Sequence, residues 1–128
     1  MKLLLDTHAL LWWLDGDERL PEPCRELIWN EDNIVLVSAA SAWEITTKAR
    51  LGKLPGAVAV AADFRKCLAA QGFTPLAISL DHAVRAGNLP GSHRDPFDRM
   101  LIAQSQAEGV PLISNETLFD QYGIRRIW

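Results

Sequence analysis

The sequence predicts an α/β fold, a single-domain three-layer α/β/α sandwich with a mostly parallel central sheet. Short apolar runs rich in leucine, isoleucine and valine recur along the chain, and longer stretches of helical character separate them. Runs that are apolar at nearly every position are typical of strands covered on both faces, as in parallel sheets. A length of 128 residues suits one compact domain, predicted to span residues 1–128.

The predicted strands and helices follow each other with clear boundary signals. The strands are KLLLD at 2–6, IVLVS at 34–38, TPLAISL at 74–80, VPLIS at 110–114 and IRRIW at 124–128. The helices are 7–14, 22–30, 39–51, 57–71, 81–88 and 96–108. Gly52 and Pro55 close the third helix and Gly72 ends the fourth, while Asp95-Pro96 provides an N-cap and a first-turn proline for the sixth. The order β-α-α-β-α-α-β-α-α-β-α-β is that of an open α/β sandwich.

Composition and charge exclude several classes of protein. The formal net charge of −3 gives no overall basic field, so a polyanionic substrate would have to be attracted by local patches or by metal ions. Asp6 and His8 interrupt the first apolar stretch, and no later run approaches the roughly 18 residues that span a bilayer. We therefore expect a cytoplasmic protein. Cys24 and Cys67 lack a CxxC spacing, which favours reduced thiols.

Carboxylates from distant segments fall at one predicted end of the sheet. Asp6 ends the first strand, Glu44 lies on the helix after the second, Asp95 and Asp98 begin the sixth helix, and Glu116 follows the fourth strand. Ligand sites of open parallel sheets lie beyond the carboxyl ends of the strands, so these acids could converge. Two carboxylates about 5 Å apart repel by roughly 3 kcal/mol at an effective dielectric near 20. Such a cluster needs protonation or a cation, and oxygen ligands select a hard ion such as Mg²⁺ or Mn²⁺.

Each acid also has a structural interpretation, which spacing alone leaves open. Asp6 and Asp95 suit the N-cap positions of the helices that follow them. Glu44 ends a SAWE capping-box pattern and precedes a lysine by four residues, which is a favourable helical pair. Asp98 stands where a carboxylate reaches back to the cap of its helix, and Glu116 suits an ordinary surface turn.

The segments that carry these acids resemble those of a known family. They are LLLDTHALLWWL, VSAASAWEITTKARLGKL, HRDPFDRMLIAQSQ and PLISNETLFDQYG, and together they cover nearly the whole chain. In this order they are similar to PIN-domain proteins of the VapC toxin type, the ribonuclease half of a bacterial toxin–antitoxin pair. The resemblance implies a PIN-like fold and an endoribonuclease that depends on Mg²⁺ or Mn²⁺. It also implies an RNA substrate, a VapB-type antitoxin and a homodimer, with no membrane association.

The resemblance further implies the residues of the site. Asp6 and Asp98 match acids that bind the metal directly. Glu44 and Glu116 match acids that position or deprotonate a metal-activated water for attack on the phosphodiester. The family usually has aspartate at the last position, and the longer Glu116 suits a water-mediated role. Asp95 would support the pocket, cap its helix, or both. Nearby basic residues are candidates for RNA binding, namely Lys48, Arg50, Lys53, Arg94 and Arg99.

Other functions share some of these features. A phosphoacceptor receiver domain also places Mg²⁺ in an acidic pocket, but it needs paired acids after the first strand and a lysine near the C-terminus. Here Asp6 stands alone and the last lysine is Lys66. Asp6 and His8 match the DxH opening of metallophosphoesterases, but the GDxxD motif is absent and no histidine follows His93. A PIN fold that binds RNA or protein without cleaving it is a third alternative, which the intact acids disfavour.

Trp12 and Trp13 are adjacent on the first predicted helix and therefore point about 100° apart. One small core does not readily bury both side chains. Core packing of one tryptophan is the structural interpretation, and an exposed apolar patch that binds a partner is the alternative.

Overall fold

The computed structural model describes residues 1–128 and contains one five-stranded sheet in which all neighbouring strands are parallel. The strands are β1 (Lys2–Leu5), β2 (Ile34–Ser38), β3 (Thr74–Leu76), β4 (Leu112–Ile113) and β5 (Arg126–Ile127). Their order across the sheet is β3-β2-β1-β4-β5, so the first strand of the chain is the central one. The predicted parallel α/β fold is confirmed.

Helices connect the strands and cover both faces of the sheet. They are α1 (Thr7–Asp15), α2 (Glu22–Trp29), α3 (Ala39–Arg50), α4 (Val58–Ala62), α5 (Phe64–Gln71), α6 (Leu80–Asn88) and α7 (Pro96–Glu108). Two 3₁₀ helices occupy Pro55–Ala57 and Thr117–Tyr122. None of the helices combines the length and apolar character needed to cross a membrane.

The three leucines of β1 show why the fold has three layers. Side chains alternate between the two faces of a strand. Leu3 and Leu5 accordingly belong to a buried cluster that includes side chains of α1, α2 and α5. Leu4 belongs to a second cluster with Leu101 and Ile102 of α7. A strand that is apolar at every position is thus covered by helices on both sides.

Two predicted elements are shorter than the apolar pattern indicates. The strand predicted over 74–80 ends at Leu76, because Ser79 caps α6: its Oγ accepts from the His82 amide at 3.0 Å, and Nδ1 of His82 accepts from the Ser79 amide at 3.1 Å. The helix predicted over 57–71 is interrupted at Asp63, whose φ of −147° is not helical and whose Oδ1 caps α5. The strands predicted at 110–114 and 124–128 are also shorter, with β4 at Leu112–Ile113 and β5 at Arg126–Ile127.

The structure confirms the prediction for the cysteines, whereas it makes neither of the paired tryptophans fully buried or exposed. Cys24 and Cys67 are free thiols. Trp12 and Trp13 are both half-buried: the first packs against Trp128, and the second donates a hydrogen bond from Nε1 to Gln71 at 2.9 Å. The most exposed tryptophans lie elsewhere, on α2 and α3.

Candidate active site

Asp6 lies at the carboxyl end of β1, the central strand. The strand order reverses here, because the chain continues from β1 to β2 and β3 on one side and then to β4 and β5 on the other. It is 6 % exposed, and its Oδ1 accepts a hydrogen bond from the Ala9 amide at 2.7 Å, which confirms the predicted N-cap role. Burial raises the pKa of Asp6, hydrogen bonds from Ser114 and the Ala9 amide oppose this rise, and the charge of Glu44 adds to it. The capping hydrogen bond therefore does not return the pKa of Asp6 to its ordinary value.

Glu44 is a buried carboxylate on α3 that pairs with a lysine one turn later. It is 4 % exposed, and its Oε2 accepts a hydrogen bond from Nζ of Lys48 at 2.5 Å, as the spacing predicts. That hydrogen bond raises the pKa of Lys48, and the charges of Glu44, Asp95 and Asp98 raise it further. The ammonium group thus lies in the combined field of three carboxylates.

The start of α3 corrects the capping-box interpretation of its sequence. The helix begins at Ala39, and the N-cap is Ser38, whose Oγ accepts from the Ala40 amide at 2.9 Å. Ser41 already lies inside the helix, and its buried Oγ accepts a hydrogen bond from Oγ1 of Thr7 at 3.0 Å. The SAWE segment is therefore not a capping box. Its serine links α3 to α1, and its glutamate is free of any capping duty.

Asp95 and Asp98 take different roles at the start of α7. Oδ1 of Asp95 accepts from the amides of Phe97 and Asp98 at 2.9 and 3.1 Å, which confirms the predicted N-cap. Asp98 does not reach back to the cap, because its Oδ2 lies 3.0 Å from Nε2 of His93. Burial raises the pKa of Asp98 to about 6; the charges of Asp95 and Glu44 add to this rise, whereas the His93 hydrogen bond opposes it.

Glu116 lies at the margin of this group of acids. It is half-buried and caps the 3₁₀ helix after β4, where its Oε1 accepts from the Leu118 amide at 3.3 Å. The charge of Glu116 contributes to the raised pKa of Arg126, whereas other groups cause the pKa shifts of Asp6 and Asp98. The structure therefore gives Glu116 a capping role in the turn after β4.

We use the term acidic cluster for Asp6, Glu44, Asp95 and Asp98. Charge links its members, since Glu44 raises the pKa of both Asp6 and Asp98. The expectation that converging carboxylates need protonation or a cation agrees with these two raised pKa values and with the ammonium of Lys48. The fold thus brings together acids that are far apart in the chain.

The donor set of the acidic cluster fits a hard cation. In their present positions no three His, Cys, Asp or Glu side chains are arranged to hold a metal ion. The cluster nevertheless already accepts a cation, the Lys48 ammonium, and its donors are carboxylate oxygens. Oxygen donors of this kind suit Mg²⁺ or Mn²⁺ rather than zinc.

Besides Lys48, which pairs with Glu44, the predicted basic residues fall into two groups. Arg50, Lys53 and Arg94 are exposed and lie on the segments that carry Glu44 and Asp98. Arg99 instead binds the backbone: its guanidinium donates to the Ala86 carbonyl of α6 and to the Leu89 and His93 carbonyls of the loop before α7, at 2.6 to 3.1 Å. The structure therefore gives Arg99 a role in holding that loop.

Sequence reasoning did not single out two polar side chains that touch the predicted acids. Ser114 directly follows Ile113, which pairs with Leu5, and Leu5 directly precedes Asp6. The parallel register of β1 and β4 could therefore have predicted that Ser114 lies beside Asp6. Its buried Oγ also accepts from the Glu116 amide at 3.0 Å. His93 stands five residues before Asp98, and only the tertiary conformation of the intervening turn brings the two side chains together.

Comparison with known proteins gives the same fold. VapBC2 from Rickettsia felis, bound to a promoter DNA fragment, has 15 % identity and a TM-score of 0.72, covering 100 % of this chain and 99 % of that one. VapC20 from Mycobacterium tuberculosis, a toxin that cleaves the sarcin-ricin loop, has 19 % identity and a TM-score of 0.67, with 95 % of both chains covered. VapBC-1 from nontypeable Haemophilus influenzae has 14 % identity and a TM-score of 0.65, covering 99 % and 97 %.

These solved structures confirm the fold that the sequence predicts. No curated protein matches the chain. The model of the PIN domain family matches residues 3–124, which is almost the entire length of the protein. This match confirms the resemblance to PIN-domain proteins that the four acid-bearing segments predict. The chain belongs to the PIN domain family.

Proposed function

We propose that this protein is a metal-dependent endoribonuclease that acts as the toxin of a type II toxin–antitoxin pair in the cytoplasm. The observation that carries the proposal is the convergence of Asp6, Glu44 and Asp98 at the carboxyl end of a PIN-domain sheet. Glu44 and Asp98 contact side chains rather than serving as helix caps, and the pKa of Asp6 is raised although this residue is a cap. The PIN family and the toxins with the same fold support the same class of activity.

In this proposal the acids share the work of holding an ion and activating water. Asp6 and Asp98 hold Mg²⁺ or Mn²⁺ through their carboxylate oxygens. An ion held there would act as a Lewis acid that stabilises charge on the phosphate and lowers the pKa of water. Glu44 and Glu116 orient the attacking water and take its proton. Asp95, whose Oδ1 serves two backbone amides, keeps the first turn of α7 in place for Asp98.

RNA binding requires positive charge near this acidic cluster. Lys48 lies inside it, and the exposed Arg50, Lys53 and Arg94 surround the segments that carry the acids. We assign these four side chains to the RNA phosphates. Replacing Lys48, Arg50 and Lys53 together with alanine should flatten the salt dependence of RNA binding, and an unchanged slope would reject the assignment for these three.

The proposal includes a VapB-type antitoxin and a homodimer. Trp29 and Trp43 are 77 % and 61 % exposed, and Trp43 packs edge-on against Phe97 in an apolar groove that also contains Met100. Exposed apolar surface of this kind supports association with other proteins. Two of the structural neighbours described above are VapBC assemblies. Light scattering of the protein alone and with the product of a neighbouring gene tests this part, and a strict monomer in both samples would contradict it.

The test of the activity is cleavage of total cellular RNA by the purified protein, with and without Mn²⁺. Wild type should produce discrete fragments only with the ion, and Asp6→Asn should lose the cleavage. Asp32→Asn is a matched control, because Asp32 is exposed and precedes β2 at the opposite end of the sheet. Mapping the fragment ends gives the sequence preference.

Two outcomes would refute the activity. Full Mn²⁺-dependent cleavage by Asp6→Asn would show that the acidic cluster does not carry the reaction. RNA binding by the wild type without any cleavage would instead identify a non-catalytic PIN module. Equal loss of cleavage in Asp32→Asn would point to a general effect of charge removal.

A further inference from the structure

His93 connects the loop before α7 to the acidic cluster. Its Nε2 lies 3.0 Å from Oδ2 of Asp98, and its side chain is only 17 % exposed. The ring also packs in a T-shaped arrangement against Phe119 of the second 3₁₀ helix, with ring centroids 5.9 Å apart and an interplanar angle of 89°. The imidazole is thus held between the aspartate and an aromatic ring from a different part of the chain.

Arg99 fixes the backbone that carries His93. Its Nη1 donates to the carbonyl of His93 at 2.9 Å, and its Nη2 donates to Leu89 and Ala86 at 2.6 and 2.9 Å. Nε donates to the same Ala86 carbonyl at 3.1 Å. Arg99 follows Asp98 directly on α7. The start of this helix therefore fixes the loop through Arg99, and His93 of the loop contacts Asp98.

This arrangement leaves the two oxygens of Asp98 in different environments. His93 occupies Oδ2, whereas Oδ1 has no hydrogen bond from any group of the chain. The terminal torsion of an aspartate is broad, so a carboxylate without such a contact samples many orientations. Hydrogen bonds from neighbouring groups fix the orientation of metal-binding carboxylates in proteins.

We propose that His93 is a positioning residue for metal binding, which holds Oδ2 of Asp98 so that Oδ1 is available to the ion. This inference rests on the proposed function, because it takes Asp98 as a metal ligand. It requires only a hydrogen bond from the ring, together with the packing of Phe119 and the backbone contacts of Arg99. No direct contact between His93 and the metal or the RNA is part of it.

The test measures Mn²⁺ affinity of the full chain by isothermal titration calorimetry, without RNA. His93→Ala should weaken binding by about 10- to 100-fold, the usual effect of losing a group that orients a ligand. His93→Gln should recover most of the affinity, because the glutamine amide reaches a similar position and donates a hydrogen bond. Ser92→Ala, an exposed neighbour on the same loop, should bind like wild type.

The melting temperature in EDTA separates positioning from a general structural role. A structural role alone predicts that His93→Ala melts lower and binds Mn²⁺ as tightly as wild type, and this result would overturn the inference. Equal affinities of His93→Ala and His93→Gln would also overturn it. If His93→Ala does not fold, His93→Gln is compared with His93→Asn, whose shorter side chain should bind Mn²⁺ more weakly.

The same titration distinguishes this inference from the proposed function. A wild-type protein that binds Mn²⁺ but cleaves no RNA refutes the nuclease activity, and the affinities of the His93 variants still decide the positioning role. A wild-type protein that binds no Mn²⁺ refutes both the metal site and the inference. Unchanged affinity in Asp98→Asn would remove Asp98 from the metal site and overturn the inference with it.

Discussion

Replacing Asp98 with asparagine should stabilise the metal-free protein above neutral pH. The pKa of Asp98 is raised from 3.8 to about 6, chiefly by burial. Each pKa unit corresponds to about 1.36 kcal/mol, so ionising Asp98 lowers the free energy of unfolding by roughly 3 kcal/mol. Asparagine is uncharged and avoids this loss. The expected gain is large compared with the ~5–15 kcal/mol net stability of a typical domain.

The sign of this effect depends on pH. Because the folded pKa is the higher one, the folded state binds more protons than the unfolded chain between the two pKa values. The wild type therefore loses stability as pH rises from about 4 to about 6, and the loss is complete above that range. The advantage of Asp98→Asn should be near zero at about pH 4 and close to its full value at about pH 8.

Urea denaturation in EDTA, followed by tryptophan fluorescence, measures the effect. Asp81→Asn serves as a control, since Asp81 is an exposed first-turn acid on α6 and its removal should change stability by less than about 1 kcal/mol. Adding Mn²⁺ should stabilise the wild type, by about 2.7 kcal/mol at a concentration 100 times the Kd, but not Asp98→Asn. A variant that is less stable than wild type at about pH 8 would refute the reasoning, as would a difference that does not change with pH.

Three further perturbations address other parts of the site. Lys48→Met should lower the metal-free stability by about 3 kcal/mol because buried Glu44 loses its cation, and Mn²⁺ should raise the Tm of this variant more than that of the wild type. Arg99→Lys should lower the free energy of unfolding by about 2 kcal/mol, since an ammonium cannot replace a guanidinium bonded to three carbonyls; Arg94→Lys should leave it unchanged in the same urea titration. Glu116→Gln should reduce RNA cleavage by about 100-fold with an unchanged Tm, whereas unchanged cleavage would leave Glu116 only its cap.

The central part of the fold was predictable because burial leaves a simple pattern there. Leu3, Leu4 and Leu5 are all completely buried, and only a strand covered on both faces explains three successive apolar residues followed by an acid. The same logic placed Asp6 at the carboxyl end of the first strand. The Asp95-Pro96 pair predicted the start of α7 correctly, because an N-cap followed by proline is a local signal.

Sequence reasoning was less successful where a local preference competes with tertiary contacts. β3 lies at the edge of the sheet and contains Pro75, which cannot donate to the ladder, so its apolar pattern extends beyond its pairing. Ala77, just after β3, instead accepts a hydrogen bond from Gln104 on α7 at 3.3 Å. The contact between His93 and Asp98 has the same origin, because the position of Phe119 helps to determine where the ring lies.

The central place of β1 also bears on how the protein is synthesised. β1 is made first, but one of its two neighbours is β4, which follows roughly 100 residues later. A ribosome-bound chain therefore exposes one edge of its most apolar strand until β4 has emerged. Since α7 also comes late, Asp6 and Glu44 meet Asp98 only at that stage. The nascent chain thus has no assembled acidic cluster until α7 has been made, so the proposed nuclease activity cannot precede that stage.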